Sequence, residues 1–146
     1  MNKLIKRALG ITLIETMLVL AIAASIIVMS ARYFEASQHS SQANAYYAQV
    51  QSYITAANNI YQNTGVFPSK TAMEGILPNG ANAWNLPWGT AGAYEAFVAP
   101  PGFGFSHGIH TPSPATCALI KAKFASNPKI VVNGSNCTSV RYFVNN

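Results

Sequence analysis

The sequence predicts an α+β fold: a long N-terminal helix, apolar in its first half and amphipathic in its second, packed on a small antiparallel β-sheet head. Three observations predict it. No Pro or Gly interrupts residues 11–62, so nothing in that stretch breaks a helix. Apolar residues recur along its second half at helical spacing. After a Gly- and Pro-rich middle, the chain ends in a short helical pattern and two β-rich runs that flank an Asn-Gly turn.

The totals agree with one domain plus an appendage for 146 residues. Half the residues are apolar and only 9% are charged, against roughly 25% in an ordinary soluble domain. So few charges imply that part of the chain lies in lipid or inside an assembly, and they argue against disorder. The formal charge of +5 is misleading. Lys3, Lys6 and Arg7 all precede the apolar run, and the remaining six basic residues face four glutamates, a balance of +2. That is a mildly basic surface and gives little ground for a nucleic-acid role.

Residues 1–10, MNKLIKRALG, form a short basic segment ending in Gly10. Residues 11–31 follow with one charge, Glu15. As a helix they span about 32 Å, enough for the ~30 Å hydrocarbon core of a bilayer. Basic residues before the span and export after it follow the positive-inside rule. An ordinary secretory signal, with Ala21, Ala23, Ala24 and Ser25 near a cut site, is one competing reading. A plain single-span anchor is the other. Neither explains the glutamate, since a carboxylate in an apolar helix costs roughly 2.5–3.5 kcal/mol on insertion scales. A cut after Gly10 would place a new α-amino group on Ile11, one helical turn from Glu15. The carboxylate could meet that amine in its own chain or neutralise the amine of an adjacent helix, and it also complements the helix dipole.

With Lys3, Lys6, Arg7, Gly10, Ile11 and Glu15 in these places, the sequence resembles the type IV pilin family and its pseudopilin relatives. The family pattern is a basic leader, Gly at the cut, an apolar first mature residue and Glu at the fifth. Ile11 departs from the Phe, Met or Leu of most relatives. The resemblance implies cleavage between Gly10 and Ile11 and N-methylation of Ile11 by a prepilin peptidase. It implies an inner-membrane precursor that becomes part of an extracellular filament, a helical homopolymer of the chain itself. The further partners it implies are an assembly platform and its ATPase. Minor pilins and pseudopilins share the pattern, and a single-pass protein with a non-polymerising binding head is the rival outside the family.

Residues 32–62 continue the helix with a stripe of Ala43, Tyr46, Tyr47, Val50, Tyr53, Ile54, Ala57, Ile60 and Tyr61, read as core packing against a globular part. Residues 63–146 are that α+β head. Gly65 and Pro68 end the long helix. Thr71 and Glu74 have capping-box spacing before a short helix ended by Pro78. Residues 94–99 read as a strand and residues 100–112, PPGFGFSHGIHTP, as loop. Ser113-Pro114 opens another helix with Cys117, Ile120 and Phe124 on its apolar face and Lys121 and Lys123 outside. Residues 129–132 and 140–144 are strands joined through Asn133-Gly134.

Cys117 and Cys137 are the only cysteines; export would favour their pairing. Their spacing also resembles the C-terminal disulfide region of pilins. AWNLPWG, YEAFVA and TCALIKAKF resemble the type IVb subgroup in order.

Enzyme chemistry is not expected, and no cofactor or metal is called for. Ser126 and Lys129 spell SxxK, but Pro128 interrupts the helical turn that chemistry needs. His107 and His110 are read as exposed loop residues without a third ligand. The glutamates are scattered, and the sequons at Asn133 and Asn136 are common by chance. Nucleic-acid contact through Lys121, Lys123, Lys129, Arg141, Trp84, Trp88 and Tyr142 is possible but unsupported: solvated lysines and core tryptophans are the plainer reading.

Overall fold

The computed structural model describes residues 12–99, 102–111 and 113–144. The leader charges Lys3, Lys6 and Arg7, together with Gly10 and Ile11, lie outside them. The elements in chain order are α1 (Leu13–Thr64), α2 (Lys70–Glu74), a 3₁₀ turn (Gly80–Trp84), β1 (Ala93–Ala99), β2 (Gly102–Gly108), α3 (Pro114–Phe124), β3 (Ile130–Asn133) and β4 (Ser139–Phe143). The chain divides into two compact units, residues 1–37 and 38–146.

In the first unit, α1 is apolar on every side from residue 13 to residue 31, Glu15 apart. Leu13, Ile14, Met17, Leu18, Val19, Leu20, Ile22, Ile26, Ile27, Val28 and Met29 all expose more than half of their surface. α1 is long and apolar enough to cross a membrane. Within the second unit the same helix becomes one-sided. It buries Ala43, Tyr46, Val50, Tyr53 and Ala57 of the predicted stripe, with Ala56 added; Ile54, Ile60 and Tyr61 are half-buried and Tyr47 is exposed. The helix ends where Gly65, at φ +71°, donates its N–H to the Tyr61 carbonyl at 2.8 Å.

The sheet has the order β1-β2-β4-β3 with every pair antiparallel. Tyr94, Phe105, His107, Val140, Tyr142 and Ile130 point into the core, as alternation along each strand requires. The opposite face carries Glu95, Phe97, Ser106, Arg141, Phe143 and Val131.

β2 corrects the expectation that residues 100–112 are loop. Its glycines do not break the strand; one of them is what lets the strand fit. A Cβ on Gly104 would overlap the Tyr142 carbonyl oxygen and lie 2.8 Å from its carbon, so only glycine allows this approach. On the outer face Gly104 lies in register between Phe97 and Phe143. The two rings meet edge to face at 5.4 Å between centroids and cover the strand that supplies no side chain there.

The cap of α2 is also corrected. Ser69 is its N-cap, with its hydroxyl accepting from Ala72 N–H at 3.3 Å, and Gly75 follows its last residue. Thr71 lies inside the helix, and Glu74 accepts from Trp84 Nε1 at 2.7 Å. α3 starts as expected, with Ser113 as N-cap and Pro114 in the first turn. The connection from β3 to β4 is longer than a tight Asn-Gly turn: Asn133 ends the strand, and its carbonyl accepts from Thr138 N–H at 2.9 Å. Five residues, 134–138, therefore separate the strands. Together these elements make a pilin-like fold: a long helix with an amphipathic second half on a four-stranded antiparallel sheet, closed by a C-terminal disulfide.

Candidate functional sites

Glu15 sits in the first turn of α1 and is held by its own chain. Its Oε2 accepts from Thr12 N–H at 2.8 Å and from Thr12 Oγ1 at 3.0 Å. In return, Thr12 Oγ1 accepts from Glu15 N–H at 3.3 Å. This is a reciprocal capping box: two otherwise unpaired donors at the helix start are each satisfied by the other residue's side chain. The Thr-x-x-Glu spacing carries that signal in the sequence, in addition to the amine and helix-dipole roles read for Glu15.

Cys117, on α3, and Cys137, before β4, form a disulfide with 5.6 Å between their Cα atoms, as expected. It ties α3 to the loop of the last hairpin. At the same N-terminal end α3 docks on α1: His39 Nδ1 lies 3.2 Å from Ser113 Oγ and 3.0 Å from Thr116 Oγ1.

His107 overturns its reading as an exposed loop residue. It is a strand residue, fully buried, with Nδ1 3.1 Å from the Tyr46 hydroxyl. Its ring stacks on Tyr46 and meets Tyr53 edge to face. Trp84 flanks it at 6.0 Å between centroids. Nε2 makes no hydrogen bond among the described residues and is sealed by Gly92, where a Cβ would overlap it. Burial pushes the imidazole down to about 4, opposed in part by the Trp84 carbonyl. The ring is therefore neutral at ordinary pH. The hydroxyl of Tyr46 is pushed well up by the same burial. His110, by contrast, is exposed.

No carboxylate among the described residues bonds to the His107 ring, which is enclosed by these aromatic side chains, so the cluster reads as a packed polar element of the core. Among the described residues no group of three or more His, Cys, Asp or Glu could hold a metal. Ser126 and Lys129 lie in the turns after α3. Of the residues considered for nucleic acid, Trp84 and Tyr142 are buried, and Lys129 Nζ donates to the Val144 carbonyl at 3.3 Å. Lys121 and Arg141 are exposed. They do not form a stacking platform with the buried rings.

A scan against protein-family models, a search of curated proteins and a search of solved structures each found no match.

Proposed function

We propose that this chain is a type IV pilin-like structural subunit, cut between Gly10 and Ile11 and polymerised through residues 11–31. The observation that carries this reading is the stretch of α1 from residue 13 to residue 31, apolar on every side and interrupted by a single charge, Glu15, near its start. A helix of that kind is stable in lipid or among copies of itself. Leaving the bilayer during extrusion exchanges lipid contacts for helix contacts, and the exposed side chains gain packing partners. Glu15 sets the axial register by meeting the Ile11 amine of a neighbour. The peptidase, the assembly platform with its ATPase and further copies are the partners. The precursor resides in the inner membrane and the product in a surface filament. The head, with its stapled last helix and hairpin, forms the outer layer.

N-terminal mass spectrometry tests processing: the mature chain begins at Ile11, methylated, and an intact Met1 on filament material refutes the reading. Glu15→Ala is expected to leave processing largely intact and to reduce filament yield in sheared surface fractions. Normal yield would refute the register role. Abundance of the chain in those fractions separates a main subunit from a scarce minor pilin or pseudopilin.

A further inference from the structure

The groove between the C-terminal end of α3 and the open edge of β3 has the features of a peptide site. It holds about 260 Å³ and is lined by Lys121, Phe124, Ala125, Ile130, Val131 and Val132. β3 pairs on one side only, with β4. Phe143 N–H donates to the Lys129 carbonyl at 2.9 Å, so the odd-numbered residues of β3 turn their backbone groups toward β4. By the two-residue period, Ile130 and Val132 turn theirs the other way, away from β4 and toward the open edge. Ile130 N–H is taken by the Asn127 carbonyl at 3.1 Å. The Ile130 carbonyl and both backbone groups of Val132 accept or donate no bond from another element among the described residues.

Charge selects the guest. After Glu95 the sequence has Lys121, Lys123, Lys129 and Arg141 and no acidic residue. Lys121 stands in the groove wall itself. A free strand edge beside an apolar cleft with a cationic rim fits an added strand whose backbone pairs with β3. Its apolar side chain would enter against Phe124 and Ile130, and its carboxylate would meet Lys121. A nucleic acid fits less well, because it has no backbone that matches alternating N–H and C=O groups, and Trp84 and Tyr142 are buried. We infer that the α3–β3 groove binds an extended peptide segment that alternates apolar and acidic residues, by strand addition to β3. This inference is independent of whether the chain polymerises.

The test uses the full chain in detergent micelles with a labelled Val-Glu-Val-Glu-Val peptide, its Val-Lys counterpart and an oligodeoxythymidine as probes. Fluorescence anisotropy gives binding, and amide NMR shifts give the place. The acidic peptide is expected to bind and the lysine peptide not to bind, with shifts concentrated at residues 121–125 and 130–133. Lys121→Glu should weaken binding roughly threefold or more, and Lys70→Glu should leave it unchanged. Val132→Pro, which removes the edge donor, should abolish it while circular dichroism stays that of the parent. If that variant unfolds, Lys121→Glu and the shift map decide. Equal binding of both peptides, shifts located elsewhere, or the oligonucleotide taking the same amides would overturn the inference. So would occupation of the edge by a second copy without peptide.

Discussion

Acidification should destabilise the head through His107. In the folded state its ring is buried against Tyr46, Tyr53 and Trp84 and is held down to about 4, against an ordinary 6.5. The unfolded chain therefore binds a proton that the folded chain refuses. Stability is whole above pH 6.5, falls as pH drops through the window, and has lost the full amount below about 4. That amount is about 3 kcal/mol, and at pH 5 about 2 kcal/mol is already gone, at about 1.4 kcal/mol per tenfold. Against a total of about 5–15 kcal/mol for an ordinary domain this is a large share. The assay is urea denaturation of the disulfide-intact full chain in micelles between pH 7.5 and 4.5, beside His107→Gln. The variant keeps a polar side chain at the site and cannot titrate there. The difference between the two curves isolates this ring from the other histidines and the glutamates. It should narrow as pH falls, by about 2 kcal/mol at pH 5. Parallel curves would refute the reasoning.

Two further outcomes follow from the packing. Gly104→Ala should destabilise the head by about 2 kcal/mol or more, because the new methyl overlaps the Tyr142 carbonyl; an unchanged melting temperature would refute the close approach. Reduction of Cys117–Cys137, which closes a sequence separation of 20, should cost about 3 kcal/mol by loop entropy. The measurement is the shift of the urea midpoint with and without reductant, and no shift would refute it.

What the sequence showed plainly is what rests on local rules. The long helix was legible because no Pro or Gly interrupts it and its stripe repeats, and α3 because Ser113-Pro114 is an explicit start. β2 is hidden in the sequence because glycine and proline disfavour a strand locally, and only what lies across the strand offsets that. Phe103, Phe105 and His107 alternate with Gly104 and Ser106, a period of two that was present all along. Only the register with Phe97 and Phe143 explains why glycine belongs there. The burial of His107 is hidden for the same reason, since it follows from the strand that carries the residue. Ser69 displaced Thr71 as cap because both hydroxyls suit the role and tertiary context chooses between them. Cleavage at Gly10 rests on the sequence pattern alone.

The capping box changes the thermodynamic standing of Glu15. Its oxygen is already engaged by Thr12, so an approaching amine must trade against bonds in place. The net gain is the difference between two satisfied arrangements and is correspondingly small. In the proposed filament such a carboxylate would be poor glue but a good gauge: it would favour the one alignment that outcompetes its resting contact and leave every other alignment without reward.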